Sequence, residues 1–358
     1  MTNRLSLSEV RSASPAWYRG DFHVHTNFSD GRYPPAALAQ LYGGRGLDFF
    51  AITDHNAIGS FTEFGEDPGL LIIPELEVTL EEGHWNVLGL EGWLPWMDEV
   101  CQGKITIPLG AKFSGTSALL ELTRGQGCLN SINHPLLKPW EWRDPATDLR
   151  LVDAIEVWND PLWPDNAQAS PRAVGFWTEC LNAGLRPTAI GGSDFHVLPG
   201  EAPPYPGEEP GLPLTWVYAR GLSAVGILEG VRERRIYISL GPQMQFSATL
   251  GREHFDIGAD LGLVSGRARL KTTLSAGPQG GRLRMVGGAG LIGEAPIVDG
   301  VAELQAELGL RADRRQWVRA EVVDEAGQRV ALTNPIFAGP EPRPALVTFG
   351  EIERRTEG

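Results

Sequence analysis

Asp21-Phe22-His23-Val24-His25-Thr26, with Ser29-Asp30-Gly31 close behind it, is the stretch on which the reading of the fold turns. Phe22 and Val24 flank His23 as in a strand, and a side-chain period of two sends the His23 and His25 rings to the same side. Two imidazoles on one face make a pincer for a metal ion, although a surface pair would have the same spacing. Working outward, the same pairing of histidine with carboxylate returns in Asp54-His55, Glu77, His84, His134 and Asp194-Phe195-His196, so six of the 7 histidines lie in the first two hundred residues. Imidazole and carboxylate together bind zinc, manganese or iron, whereas thiolates select other metals. The pattern predicts an enzyme with more than one metal ion.

Each cluster falls on or just after a strand-like run. The runs are residues 21–25, 47–53, 70–79, 84–90, 128–133, 152–157 and 187–190, with helical patterns between several of them at 34–41, 117–123 and 171–182. Alternating strands and helices imply an α/β fold with a largely parallel sheet. Ligands delivered at the C-terminal ends of seven or eight strands imply a barrel rather than an open, doubly wound sheet. A further helix is predicted over Ser223–Arg235, capped by Ser223. Beyond Gly241-Pro242 the pattern becomes strict alternation, as in Arg267-Ala268-Arg269-Leu270-Lys271, Arg282 to Met285 and Trp317 to Val322, where arginine and glutamate are expected to face water. Short half-buried strands with glycine-rich turns read as a β-sandwich. The expected division is therefore a barrel domain over 1–240, a β-rich sandwich-like domain over 241–345 and a mobile tail over 346–358.

With 358 residues the chain is long enough for two domains. A formal charge of −14 leaves no basic surface for general nucleic-acid binding. No apolar run of about 18 residues occurs, so no membrane span is expected, and Met1–Arg19 lacks the apolar core of a secretory signal, which makes the cytoplasm the expected location. The 3 cysteines, Cys101, Cys128 and Cys180, are widely spaced and read as inert thiols.

The histidine segments, in order, resemble the motifs of the PHP (polymerase and histidinol phosphatase) family. His23-Val24-His25-Thr26 with Ser29-Asp30-Gly31 is similar to the first motif and Thr53-Asp54-His55-Asn56 to the second. Ile73-Pro74-Glu75-Leu76-Glu77 is similar to the third, Asn133-His134-Pro135 to the fourth and Gly192-Ser193-Asp194-Phe195-His196 to the last. Gly83-His84-Trp85-Asn86, Ile155-Glu156-Val157-Trp158-Asn159 and Asn334-Pro335-Ile336 resemble the branch of that family that includes the carbaryl hydrolases, which carries a β-rich C-terminal domain.

The resemblance implies a distorted (β/α)7 barrel and a hydrolase with two or three divalent ions, manganese, zinc or iron. It implies that His23, His25, Glu77 and Asp194 hold one ion, that Asp30, His55 and His196 hold another, and that Glu77 bridges while His134 serves an adjoining ion. Two positions depart from the family pattern. Glu75 stands where glycine is common, on the same strand face as Glu77, and spacing from the preceding turn favours Glu77 as ligand. Asn86 stands where a third-ion histidine is common, and His84, two residues earlier on the same face, is the candidate replacement.

The expected reaction is hydrolysis of a small phosphate mono- or diester by a water held between the ions, with Glu77, Asp194 and His196 as the catalytic groups. The substrate is a small molecule, expected to be phosphorylated. Asn86, Lys138 and Asn159 are candidate substrate contacts, and Asp54 a residue that orients a ligand. Trp93, Trp96, Trp140, Trp142 and Trp163 are candidate pocket walls, and His254 is expected to be structural. The competing readings are a carbamate, ester or amide hydrolase on the same site, and a metal-stabilised binding module without catalysis.

Overall fold

Runs rich in valine, isoleucine and phenylalanine suit a pleated surface covered on both sides, and they form the strands that carry the histidine clusters. The computed structural model describes residues 5–62, 69–101, 106–109, 113–341, 344 and 347–357. Its N-terminal part contains β1 (Val10–Ser12), β2 (Ala16–Asp21), α1 (Pro35–Gly44), β3 (Phe49–Ile52), β4 (Leu71–Leu80), β5 (Gly83–Leu88), α2 (Met97–Val100), α3 (Thr116–Gly125), β6 (Leu129–Ile132), β7 (Ala154–Asn159), α4 (Asn166–Ala183) and β8 (Thr188–Gly192). They are followed by β9 (Leu214–Ala219), β10 (Leu222–Ser223), α5 (Ala224–Arg232) and β11 (Ile236–Ser239). Ser223 caps α5 by accepting a hydrogen bond from the Gly226 amide at 3.0 Å.

Strands β2, β3 and β4 pair in parallel, as do β6, β7 and β8. Between these groups β5 is antiparallel to both neighbours, so the sheet is mixed where a largely parallel one was expected. The cause is local: only Glu81 and Glu82 separate β4 from β5, and so short a connection makes a hairpin. The two ends of this run, β2 and β8, approach each other just past their C-termini. Val24 and Phe195 form a parallel bridge there, and the His25 amide donates to the Phe195 carbonyl at 2.9 Å.

On its other edge β2 pairs antiparallel with β9, and the ladder continues through β11 into the C-terminal strands as one sheet of 14 strands. Those strands are β12 (Gln243–Leu250), β13 (Glu253–Asp256), β14 (Gly266–Ser275), β15 (Arg282–Gly287), β16 (Gly290–Pro296), β17 (Ala302–Leu310), β18 (Gln316–Val323), β19 (Arg329–Thr333) and β20 (Ile336–Ala338). Strands β13, β12, β14 and β17 make a separate antiparallel sheet. Met244, Phe246, Leu270 and Leu274 from that sheet share one buried cluster with Leu283, Met285, Val318 and Val322 of the large one.

Three expectations about this region are corrected. Arg319 and Glu321 do not face water, being 4% and 6% exposed. The second face of β18 is covered by α4, where Arg319 lies over the Trp177 ring and donates to the Thr178 hydroxyl at 2.9 Å. The expected mobile tail contains a docked helix, α6 (Phe349–Glu357), with Phe349 and Ile352 buried and the Phe349 ring 4.6 Å from that of Phe176. Its charged residues point outward while Phe349 and Ile352, three apart, share the inner face; positions 346 and 358 lie outside the described residues. His254 is not a structural core residue but stands exposed on β13, 3.0 Å from Asp256. No helix among the described residues is long and apolar enough to cross a membrane.

Candidate metal centre

The strands carry the histidines to one edge of the sheet. His23 and His25 follow the end of β2, Asp54 and His55 the end of β3, His134 the end of β6, and Asp194 and His196 the end of β8, while Glu77 lies within β4 and His84 near the start of β5. His134 and Asp194 have φ of 27° and 53°, the left-handed region that non-glycine residues enter at a cost, and such strain gathers where function demands a particular aim. Gly192 permits the convergence, since a Cβ there would sit 2.5 Å from the Cβ of His23. Asp30 is held in place through Asp54, whose carboxylate accepts from the Thr26 amide at 2.7 Å and from the Ser29 hydroxyl at 2.8 Å. Asp54 thus orders the turn that bears Asp30.

Four overlapping groups result, each with its nitrogen and oxygen atoms within 4.8 Å of one another: His25, Asp30, His55 and His196; His23, His25 and Asp194; His23, Glu77 and His134; and His55, Glu77 and His84. Nε2 of His23 lies 3.3 Å from Glu77 and 3.1 Å from Asp194, and Nε2 of His25 lies 3.0 Å from Asp194. Nδ1 of His55 and Nδ1 of His84 approach the two oxygens of Glu77 at 2.8 and 3.3 Å, with His134 at 3.6 Å. Asp30 receives His196 at 3.3 Å and His55 at 3.6 Å. Nε2 of His23, Nδ1 of His25, Oε2 of Glu77, Nδ1 of His84 and Nδ1 of His134 are buried without a hydrogen-bond partner. Orphaned buried polar atoms are costly, and cations at the shared carboxylates would satisfy several at once. The donor set of imidazoles and carboxylates fits zinc, manganese or iron.

The groups around the centre fix its geometry. Glu156 accepts from the other nitrogen of His23 at 3.0 Å and from the His134 amide at 2.8 Å, the carboxylate–histidine arrangement that sets a metal ligand's tautomer. Asn86 donates to the Phe22 carbonyl and accepts from Asn133, which in turn donates to Glu77 at 2.9 Å. Asn86 is therefore engaged in positioning Glu77 and does not line the cavity above the centre, where a substrate contact was expected of it. Glu75 is buried with neither oxygen bonded, burial pushes its carboxyl well above the usual range, and it belongs to none of the four groups.

Electrostatics separate the donors into two kinds. Burial, reinforced by His196 and His55, pushes His25 down to about 3, leaving its ring neutral. Burial opposes ionisation of Glu77, Asp194 and Asp30, but their histidine neighbours outweigh it and all three are lowered. His23 and His196 are raised well above the ordinary value: burial works against the charge, and the carboxylates around each ring outweigh it. The cysteines take no part. All three are buried, burial raising Cys128 to about 11 and Cys101 to about 12.

Above the centre opens a cavity of about 420 Å³. His55, His84, His134 and His196 reach its floor, and Trp140, Trp163, Tyr205 and Leu137 wall it. The rings of Trp140 and Trp163 stand 5.7 Å apart, and those of Trp163 and Tyr205 5.5 Å. Trp93, Trp96 and Trp142 are not part of this wall. Asn159 lines the cavity and donates to Glu156 at 3.1 Å. Lys138 is exposed and does not line it.

Two lining carboxylates escaped the sequence reading. Glu208 accepts from the His196 and Val197 amides at 3.0 and 2.9 Å, and it lies in the proline-rich run Pro203–Pro210, which has no periodicity to mark it. Asp160 is pushed up to about 8, by burial first and then by the charges of Glu208 and Asp194. Its only sequence signal was adjacency to Asn159.

No protein-family model matches the chain, and no curated protein matches it. Among solved structures it is similar to a two-domain protein containing a predicted PHP-like metal-dependent phosphoesterase from Bacteroides vulgatus ATCC 8482, at 19% identity over 94% of this chain and 99% of that one, with a TM-score of 0.48. It is also similar to a candidate metal-dependent phosphoesterase from Bifidobacterium adolescentis ATCC 15703, at 20% identity over 59% and 95% of the two chains, with a TM-score of 0.40. An amidohydrolase from Chromobacterium violaceum, with bound sulfate and no metal, matches at 16% identity over 53% and 90%, with a TM-score of 0.35. None of these overlaps is close enough to carry chemistry across, so the site is read from its own side chains.

Proposed function

We propose that this chain is a metal-dependent hydrolase of PHP type that cleaves a small phosphate mono- or diester. The observation that carries the reading is the convergence of buried, partner-less imidazole and carboxylate atoms on the floor of an open cavity. With it we propose a distorted (β/α)7 barrel over 1–240 and a β-sandwich-like domain over 241–345. The meeting of β2 and β8 at Val24 and Phe195 supports the first, and the cluster shared by two antiparallel sheets supports the second.

His23, His25, Asp30, His55, Glu77, His134, Asp194 and His196 would hold two divalent ions, manganese, zinc or iron, and His84 beside Glu77 gives a third position. Bound there, such ions supply Lewis-acid polarisation and positive charge for the phosphoryl oxygens. The chain's own groups do the rest. Glu77, reached by imidazoles on both oxygens, is the shared anchor. Glu156 and Asn133 hold His23 and Glu77 in aim. His196 is a ligand that faces the cavity, its side chain 20% exposed whereas those of His23 and His25 are sealed. The Trp140, Trp163 and Tyr205 wall excludes water from one side of the bound substrate.

A second reading keeps the site and changes the bond to a carbamate, ester or amide carbonyl, as in the carbaryl-hydrolase branch. One observation favours it: among the described residues, Arg32 is the only cationic side chain other than histidine in the lining, and it is engaged with Glu201. Metal analysis of protein purified without chelator, followed by parallel assays on p-nitrophenyl phosphate, its bis-ester, and aryl carbamates and acetates, separates the readings. Turnover of the phosphoesters alone supports the first, turnover of the carbonyl substrates alone supports the second, and protein free of metal and inactive on all would sink both.

A further inference from the structure

At the opposite ends of β6, β7 and β8 from the metal centre, a second hollow of about 590 Å³ is lined by Arg124, Arg150, Arg186, Arg232 and Arg234. In a chain with a formal charge of −14, five arginines around one hollow are a marked reversal of sign. Among the described residues, Asp153 and Glu341 are the only carboxylates in the lining. Arg150 is paired with Asp148 at 2.6 Å, and Arg124 lies 3.5 Å from Asp153.

Two of the lining arginines and one outside the lining crowd a single aromatic ring. Arg186, Arg234 and Arg315 lie 4.7, 5.7 and 5.9 Å from the centre of Phe337. The ring's π-face attracts each cation, yet it cannot cancel their mutual repulsion. Arg186 has an anionic partner in Asp260 at 2.7 Å, whereas Arg234 and Arg315 donate to the carbonyls of Arg232 and Leu185. Nε and Nη2 of Arg186, Nε of Arg234, and Nε and Nη1 of Arg315 are left without hydrogen-bond partners. Burial and then the charge of Arg186 push Arg315 down to about 10, which still leaves it cationic at neutral pH. Asp260 and Glu341 act on Arg234 and Arg315 from a distance, but neither guanidinium has a carboxylate within ion-pair reach among the described residues. A ligand with several linked anionic groups would supply one, because the guanidinium fork matches phosphate oxygens two at a time.

We propose that this hollow is a binding site for a small polyanion of linked phosphate groups, a diphosphate or triphosphate, distinct from the metal centre. A single tetrahedral anion would fill only a small part of a hollow of about 590 Å³ lined by five arginines, which is why linked phosphate groups are proposed.

The test is calorimetric titration of the metal-stripped, full-length protein with sodium pyrophosphate, beside orthophosphate and sulfate. Pyrophosphate is expected to bind at one site, more tightly than either single anion and more weakly as salt rises. The double variant Arg186→Gln/Arg234→Gln should weaken it by about tenfold or more, since each loses charge-assisted hydrogen bonds, while Asp194→Asn should bind as the wild type does. Absence of binding, equal affinity for all three anions, an unaltered affinity in the double variant, or loss of binding in Asp194→Asn would each overturn the proposal. Should circular dichroism show the double variant unfolded, Arg124→Gln/Arg232→Gln decides, weakened binding supporting the site and unchanged binding overturning it. Because the titration reads no activity, its failure leaves the hydrolase reading untouched.

Discussion

Charged groups are treated in opposite ways at the metal centre and in the C-terminal strands. Along β14 and β17, Arg267 meets Glu307 at 3.1 Å and Lys271 meets Glu303 at 3.0 Å, both pairs on the solvent side with alternate residues turned inward. At the centre, His23, His25 and Glu77 are sealed from solvent, yet several of their polar atoms lack partners. Exposed pairs are solvated whether or not they touch, and contribute little. Buried polar atoms without partners are retained only where something else satisfies them. The contrast teaches that charge patterning in the strands serves solubility and register, and that the same residue types at the strand ends form a site.

The sharpest way to break this comparison is Asp194→Asn. Asp194 is within 3.1 Å of both His23 and His25, so the substitution removes the only carboxylate of the group that those three residues form. Metal content and hydrolytic turnover should fall together by more than roughly a hundredfold, beyond the effect of a group that merely supports a ligand, while the circular dichroism spectrum stays that of the wild type. Retention of both metal and activity would show that the buried atoms are not a metal site.

Arg319→Ala tests the rule from the other region, because Arg319 and its neighbour Glu321 are C-terminal charges that are buried. It should destabilise the fold by about 3 kcal/mol, leaving Glu321 buried with only the partly exposed Arg329 opposite it. Urea unfolding measures this, and a loss no larger than that of an exposed pair would mean that β18 is open to water.

Glu156→Gln should lower metal affinity or turnover by about 10–100-fold without unfolding the protein. Glu156 does not enter the four ligand groups but fixes His23 through one oxygen and the His134 amide through the other. Glutamine keeps the size of the side chain and loses the charge that holds the His23 tautomer. A readout confined to KM would point to a substrate role instead.

These groups also show how much was legible in the sequence. The histidine–carboxylate clusters and the apolar runs before them were visible because strand period and metal chemistry each leave a local signature, and the side chains they predicted do meet at one edge of the sheet. Partners acquired only by packing were not visible. Asn86 reads as a vacancy in a motif until Phe22 and Asn133 take up its amide. Glu208 comes from a proline-rich loop without periodicity. Arg319 follows an alternation that holds along β18, but the face it predicts as wet is covered by α4, more than a hundred residues away in sequence. Alternation reports two faces, not what covers them.

Metal uptake should depend on pH in a direction set by the raised histidines. His23 and His196 hold protons above the ordinary histidine range in the metal-free centre. Since a metal binds the neutral ring, those protons must leave. Affinity is therefore expected to rise with pH through and above neutrality and to weaken as pH falls. Titration in buffers of different ionisation enthalpy should show protons released on binding, and release of none would mean that the carboxylates alone take the ion.

The smallest effect expected is that of Lys271→Ala. The Lys271 and Glu303 side chains are 49% and 48% exposed, so each is hydrated before and after the pair is broken. Screening at ordinary ionic strength removes most of the attraction, and the ladder between β14 and β17 rests on backbone bonds and on Leu270 and Leu274 facing inward. Tm and metal content should both match the wild type. A clear fall in Tm would mean that surface charge is structural in this region after all, and the division between solvated strand pairs and orphaned charges at the centre would have to be redrawn.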